Sequence, residues 1–350
     1  MTTVQTTRAD HATEVVQFSA DDGLPLTLIH VSSRRCPDAP RGPVLLVHGA
    51  GVRAELFRPP IARTLVDALL DEGWDVWMLN WRASIDLPPV AWTLDDAAVF
   101  DHPAAVREVL ARTGAESLAA FVHCQGSTSF TIAAVAGLLP QVRTIVSNAS
   151  SLFVDVPWVS RQKITHLLPL LGGFTPMLSP RWGYKSQGYF SRIVRSGVKL
   201  THHECDNTVC RLVSFTYGAG HPALWSHANL DDATHRWIIG EFAGAPLSFF
   251  RQMADSVKAG YLVPTGKRSQ LPASLVDGPP RTEARFSFIA GADNRCFLPR
   301  GQRRTYEFFD HYAPGKHSLH VIPGYGHLDL IFGRDAWRDT YPLILQELAS

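Results

Sequence analysis

Cys124 is the residue whose surroundings point most directly to chemistry, in Phe121-Val122-His123-Cys124-Gln125-Gly126-Ser127. The apolar run before it, Ser117 to Val122, reads as a buried strand. The small and apolar residues after it, Ser127 to Leu139, read as a tightly packed helix. A strand that turns directly into a helix through x-His-x-x-Gly holds its apex side chain in the open, the layout that presents a nucleophile. So tight a turn needs a small residue two positions further on, and Gly126 supplies it. A thiol used this way also needs a base to take its proton and a group to orient that base.

Two places downstream supply those groups. Phe288-Ile289-Ala290-Gly291-Ala292-Asp293 reads as an apolar strand that brings Asp293 to the carboxyl edge of a sheet, where open α/β sheets bind ligands. Val321-Ile322-Pro323-Gly324-Tyr325-Gly326-His327 puts His327 in a glycine-rich loop after the last strand. Upstream, Val44-Leu45-Leu46-Val47-His48-Gly49-Ala50-Gly51 ends a buried strand in His-Gly-x-Gly, whose glycines let backbone N–H groups approach a ligand. Each assignment has a rival. Asp293 could simply cap the next segment, with Asp155 as the fallback acid. His327 is one of fifteen histidines, and Cys124 could be an ordinary buried thiol. Ser127, the competing nucleophile, lacks a small residue before it and falls inside the helix. His123 is expected to point away from Cys124 into packing.

These residues need a scaffold, and the chain order provides one. After a loose tail over residues 1–12, Glu14 to Ser19 and Leu24 to Ser32 flank Asp21-Asp22-Gly23, a hairpin signature. A proline-rich polar loop follows over Arg34 to Pro43. Helical periodicity over Leu56 to Leu70, a strand at Trp74 to Asn80, and Asp101-His102-Pro103 as a cap opening a helix to Thr113 complete the approach to Cys124. Val142 to Ser147 is the next strand. This alternation implies right-handed crossovers and a parallel sheet. It stops from about Asn148 to Pro280, where aromatics, prolines and histidines accumulate around helical pieces such as Asp232 to Phe242 and Leu247 to Lys258. Arg285 to Ala290, Arg300 to Tyr312, Ser318 to Ile322 and a helix after Leu328 then resume it. The expected fold is α/β: a mostly parallel central sheet with helices on both faces, residues 1–147 and 281–350 forming the core and 148–280 a mainly helical lid insertion.

Composition narrows the partners. The chain of 350 residues is 45% hydrophobic and carries a formal net charge of +1, enough apolar content for a substantial core and too little basic bias for nucleic acid. No run approaches the length of a membrane span, and the polar start lacks the apolar core of a signal peptide, so a cytoplasmic protein is expected. Cys36, Cys124, Cys205, Cys210 and Cys296 form no disulfide framework. Cys205 and Cys210 are not spaced as C-x-x-C, and no second pair at ligand spacing completes a tetrahedral set. Packing or a local disulfide is expected there, with no metal.

Val47-His48-Gly49-Ala50-Gly51, Val122-His123-Cys124-Gln125-Gly126-Ser127, Gly291-Ala292-Asp293 and Gly324-Tyr325-Gly326-His327 resemble the α/β-hydrolase superfamily. Over roughly residue 40 onward, the chain resembles the lipase-like hydrolase domain fused behind cholesterol-oxidase-type GMC oxidoreductases. That narrower likeness rests on Trp74-Asp75-Val76-Trp77 with Arg82-Ala83-Ser84, Cys205-Asp206-Asn207 with Val209-Cys210-Arg211, and Asn229-Leu230-Asp231-Asp232-Ala233-Thr234-His235. The resemblance implies Cys124 as nucleophile, His327 as base, Asp293 as its orienter, and the N–H groups of Gln125 and Ala50 as the oxyanion hole. Two departures stand out: Val122 occupies a place where the elbow usually has glycine, and no G-x-G-x-x-G follows an N-terminal strand, so no FAD or other cofactor is implied.

A Cys–His pair is expected to hold a thiolate near neutral pH, since an imidazolium lowers the thiol pKa from about 8.5. Attack on a hydrophobic ester or thioester then gives a thioester acyl-enzyme that water clears. Polyhydroxyalkanoate synthases are similar in placing a cysteine at this elbow and pass the acyl group on, so transfer to an alcohol or amine is the alternative. A hydrolase-fold protein that binds a hydrophobic ligand without turnover is the third reading.

Overall fold

In the computed structural model, residues 11–34, 38–150, 152–168, 175–183, 188–203, 205–220 and 222–350 are described. Strands β1 (His11–Ser19) and β2 (Pro25–Ser33) pair antiparallel about the Asp21-Asp22-Gly23 turn. His11 and Ala12, read from sequence as part of a tail, belong to β1; the rest of that tail and Cys36 lie outside the described residues. Then follow β3 (Pro43–Val47), β4 (Asp75–Asn80), β5 (Leu118–His123), β6 (Val142–Asn148), β7 (Arg285–Gly291) and β8 (Ser318–Ile322). They form one sheet in the order β1-β2-β4-β3-β5-β6-β7-β8, parallel from β4 onward and antiparallel at β2.

Every residue of β3 and β5 is buried, because helices cover both faces of the sheet. Alternation along β3 divides the core. Leu45 and Val47 join Val122 and Phe130 on one face, while Val44 and Leu46 join Phe121, Leu69 and Tyr341 on the other. The first face carries α2 (His102–Thr113) and α3 (Cys124–Val135); the second carries α1 (Leu65–Asp71) and α9 (Tyr341–Ala349). The parallel order means that β3, β5 and β7 all point their carboxyl ends to one edge, where Ala50, Cys124 and the turn after Gly291 meet.

Three local readings are corrected. The helix expected over Leu56 to Leu70 is a short 3₁₀ turn, Ala54–Phe57, followed by α1. Pro59 and Pro60 lack the N–H groups that would bridge them, and Thr64 restarts the helix with a capping box to Asp67. Asp101 makes no capping bond. Its buried carboxylate instead receives Arg82, with Nε at 2.9 Å, and Arg82 also reaches Asp22 of the hairpin turn at 3.0 Å. The helix after Leu328 is broken at Gly333 into Asp329–Phe332, Ala336–Asp339 and α9.

Between β6 and β7 the chain leaves the sheet and returns over its carboxyl edge. Its helices include α4 (Gly188–Thr201), α5 (Thr208–Tyr217), α6 (Asp232–Glu241) and α7 (Leu247–Ala259), with a short antiparallel ribbon of Met177–Leu178 against Ala245–Pro246. After β7, α8 (Pro299–Tyr312) packs back on the sheet.

Candidate active site

The turn at Cys124 has no loop at all: β5 ends at His123 and α3 begins at Cys124. Cys124 has φ 55°, in the left-handed region that a residue with a side chain occupies only at a cost of about 1–3 kcal/mol. Close packing of the neighbouring loop enforces it. A Cβ added at Gly126 would lie 2.2 Å from the His48 carbonyl oxygen, and one at Gly49 would lie 2.9 Å from the Cys124 Cβ. Val122 fills the core where a glycine is usual, fully buried between β3 and β6.

Two backbone amides, those of Gln125 and Ala50, donate toward the Cys124 sulfur. The loop carrying Ala50 is fixed from several sides. Trp81 Nε1 donates to the His48 carbonyl at 2.9 Å, and the Gly51 N–H donates to the Ala83 carbonyl at 3.1 Å. Both donors expected of an oxyanion hole therefore lie beside the Cys124 sulfur.

His327 approaches the same sulfur from the loop after β8. The Cys124 sulfur and one ring nitrogen each of His123 and His327 lie within 4.8 Å of one another. His327 is fully buried, and its Nε2 has no hydrogen-bond partner among the described residues. Its Nδ1 faces Asn294 Nδ2 at 3.1 Å. The Asn294 amide is oriented by its other end, because Oδ1 accepts the N–H groups of Cys296 at 2.9 Å and Phe297 at 3.1 Å. The NH₂ must then point at the imidazole, so Nδ1 is the acceptor and the neutral ring carries its proton on Nε2.

Asp293 does not take the orienting role. It is exposed at the turn, its N–H bonded to the Tyr325 carbonyl at 2.9 Å, and the next residue, Asn294, meets His327 instead. Adjacent side chains diverge in the turn that the Asn294 N–H closes on the Gly291 carbonyl, so only one of the two can face inward. Asp155, the fallback, is engaged with Arg300. Ser127 faces the sheet, its Oγ 2.8 Å from Ser147 Oγ. His123 does not turn away: its ring lies 4.8 Å from that of His327, and its Nδ1 is 3.1 Å from Asn148 Nδ2.

Burial governs the charge state. It pushes the Cys124 thiol up to about 12 in spite of the two amides, and it pulls His327 down to about 3. The resting pair is a neutral thiol beside a neutral imidazole rather than the ion pair expected from sequence.

Residues 42–199 match the family described as alpha/beta hydrolase fold. A soluble variant of monoglyceride lipase from Saccharomyces cerevisiae superposes with a TM-score of 0.60 at 18% identity, covering 99% of this chain and 97% of that one. Monoacylglycerol lipase from Paleococcus ferrophilus gives 0.56 at 15% identity, covering 97% and 98%. The chain has the α/β-hydrolase fold. Sequence likeness extends over shorter stretches. Human lipase member K is 30% identical over 130 residues, 33% of each chain. The lysosomal acid lipase/cholesteryl ester hydrolase of Macaca fascicularis is 27% identical over 173 residues, 45% of this chain and 42% of that one. The matched segment thus spans between a third and about two fifths of these two relatives.

On this fold a cavity of about 110 Å³ opens beside Cys124, with His123, Gln125 and His327 at its polar end. Val52, Ile164, Leu178, Phe215, Phe249 and Phe250 wall the remainder, most of them from the helices between β6 and β7. Two polar groups in this wall were not singled out from sequence. Tyr217 presents a buried hydroxyl with no partner among the described residues, and Lys163 Nζ donates at 2.6 Å to the carbonyls of both Phe215 and Gly218. Burial lowers Lys163 to about 8. Neither lies in a motif; each is recognisable only once the chain has folded over the cavity. Among the described residues, a second group with ligand geometry, Cys205, Cys210, His227 and His235, lies on the overlying helices. No helix among the described residues is long and apolar enough to cross a membrane.

Proposed function

We propose that the chain hydrolyses carboxylic esters or thioesters of a hydrophobic acyl group through a thioester on Cys124. The observation that carries this reading is the convergence of the Ala50 and Gln125 N–H groups on the Cys124 sulfur at the end of an apolar cavity. A substrate carbonyl oxygen that enters takes over these two donors, and the displaced sulfur turns toward the carbonyl carbon. The oxyanion that forms is held by both amides, each worth about a hundredfold or more in rate. His327 is the proton carrier: it takes the thiol proton and gives it to the departing alcohol or thiol.

Acceptance at Nε2 requires the ring's own proton to sit on Nδ1, and hence the Asn294 amide to present Oδ1 there. That turn sets the NH₂ of Asn294 against the N–H groups of Cys296 and Phe297, at about 1–3 kcal/mol for each buried donor left unsatisfied. Asn294 is thus the orienting residue in place of Asp293, and a more reluctant one than an acid. Residues 148–280 serve as a lid that excludes water from the acyl-enzyme. The names of the relatives, lipases and a cholesteryl ester hydrolase, support an ester with a large apolar part.

The test is intact-protein mass spectrometry after brief exposure to acyl thioesters and aryl esters of increasing chain length, with Cys124→Ala as control. An adduct on Cys124 that water clears is the expected result. One that persists until an alcohol or amine is added makes the protein an acyltransferase instead. No adduct from any donor overturns the catalytic reading and leaves a hydrophobic-ligand-binding protein.

A further inference from the structure

Away from the active site, Cys205, Cys210, His227 and His235 bring one donor atom each to within 4.8 Å of all the others. They come from separate pieces of chain: Cys205 precedes α5, Cys210 lies in its first turn, His227 opens the short turn His227–Asn229, and His235 is on α6. The Cys210 sulfur is 3.5 Å from His227 Nε2, and the Cys205 sulfur is 3.7 Å from His235 Nε2. A tetrahedral zinc with Zn–S near 2.3 Å and Zn–N near 2.0–2.1 Å has sulfur-to-nitrogen edges of about 3.5–3.6 Å. The two imidazoles stand edge to face, 78° apart, each turning Nε2 to a different sulfur, and no disulfide joins the cysteines.

The backbone around the four donors is fixed by its own bonds. Asn207 accepts the N–H groups of Val209 and Cys210 through Oδ1 and donates through Nδ2 to the His235 carbonyl at 2.9 Å. Arg211 Nε donates to the Cys205 carbonyl at 2.5 Å. One asparagine therefore holds the backbone at two of the ligands, as supporting residues of metal sites do.

We propose that Cys205, Cys210, His227 and His235 bind one zinc ion as a structural centre. Two thiolates and two imidazoles in tetrahedral array favour zinc, and four protein ligands leave no open position for chemistry on the metal. The two thiols release their protons to solvent on binding. Sequence spacing offers no second pair to complete the set; in the folded chain His227 and His235 come to the two cysteines. Seven residues separate the histidines and sixteen separate Cys210 from His227, outside the usual finger spacings.

The site would fasten the lid to the catalytic loop. The segment leading to His227 receives the N–H groups of His327 and Leu328 on the Leu224 carbonyl, at 3.1 and 2.8 Å. The Ser226 N–H and Asn229 Nδ2 both bond the Asp329 carboxylate. At its other end α5 carries Phe215 and Tyr217 into the cavity wall.

The test uses the whole chain kept reduced, stripped by chelator and titrated with Zn²⁺ or Co²⁺. One equivalent of zinc per chain is expected by elemental analysis. Cobalt should give thiolate-to-metal charge transfer and the visible absorption of a tetrahedral ion. Both signals should persist in Cys124→Ala and vanish in Cys210→Ser. The cobalt spectrum of the unmutated chain decides the matter even where Cys210→Ser fails to fold. Absence of thiolate charge transfer in that chain, or signals that disappear in Cys124→Ala, overturns the proposal.

Discussion

At the sheet edge, Cys124 shares its surroundings with two histidines, two backbone amides and an apolar cavity. Above it, Cys205 and Cys210 face two histidines at 3.7 and 3.5 Å with asparagine and arginine fastening the backbone around them. The residue types are the same, and in both groups the donor atoms lie within 4.8 Å of one another. What differs is where the other hydrogen bonds go. At Cys124 the two amides face the sulfur, and His327 Nε2 has no partner among the described residues, so the site has unmet capacity for a passing substrate. In the upper group the sulfurs and ring nitrogens aim at one another, so the site is closed. Cysteine and histidine become a reactive pair or a ligand set according to what their neighbours leave unmet.

The sharpest way to break this contrast is a pair of substitutions. Cys124→Ala should reduce turnover by at least about a thousandfold while leaving metal content unchanged. Cys210→Ser should lose the metal and lower the melting temperature, yet still form the acyl adduct on Cys124. If each substitution damaged both properties, the two groups would not be separate sites. Next in size is Gly126→Ala, whose new Cβ meets the His48 carbonyl oxygen at 2.2 Å. The loop bearing Ala50 must shift to admit it, and a displacement near 1 Å at an oxyanion donor costs about a hundredfold in rate. Acylation kinetics beside a zinc assay check that only the lower site has moved.

How far these two groups were legible in the sequence follows from their construction. Cys124 and the Ala50 loop announce themselves because a strand period changes to a helical one with no loop between, and because glycines mark the close approaches. The mostly parallel sheet followed from the same alternation. The acid failed by a single residue: composition cannot tell which of Asp293 and Asn294 a tight turn directs inward, and the decision came from the amides of Cys296 and Phe297, which hold Asn294. Asp101 likewise reads as a helix cap until its partner Arg82, nineteen positions away, is in place. His227 and His235 were hidden for a different reason. Their meeting with Cys205 and Cys210 depends on how α5 and α6 pack, and spacing along the chain carries no trace of that.

Two measurements of about tenfold sharpen the contrast at the imidazole. With the thiol pushed up to about 12, the thiolate fraction at pH 7 is small and rises about tenfold per pH unit until that value. Iodoacetamide should therefore label Cys124 with a rate that climbs across the neutral and alkaline range; a rate flat above pH 5 would reveal an ion pair. Asn294→Asp replaces the amide donor facing Nδ1 with an acceptor, while still receiving the Cys296 and Phe297 N–H groups. It fixes the proton on Nδ1, frees Nε2 as a base and favours the imidazolium. Acylation should quicken about tenfold or more. The sign of the pH effect follows. His327 lies near 3 in the natural chain, so loss of the neutral base falls in strong acid; in Asn294→Asp its pKa rises, and the acid limb of the acylation rate moves to higher pH.

The smallest expected effect is at Tyr217, where the two regions are joined. Cys210 and Tyr217 lie on one helix, α5, about 10 Å apart along its axis. The Tyr217 hydroxyl is buried against the loop that carries Ala50, 2.8 Å from where a Cβ at Gly51 would stand, and it has no hydrogen-bond partner among the described residues. An unsatisfied buried hydroxyl costs about 1–3 kcal/mol, which a polar atom of the substrate can recover. Tyr217→Phe should therefore leave the melting temperature unchanged or raised and increase KM about threefold to tenfold, with kcat nearly constant. Removing the metal from the natural chain should act in the same direction, because it loosens the helix that aims this hydroxyl. If chelation still raised KM in Tyr217→Phe by as much as in the natural chain, the metal would be acting through some other part of residues 148–280.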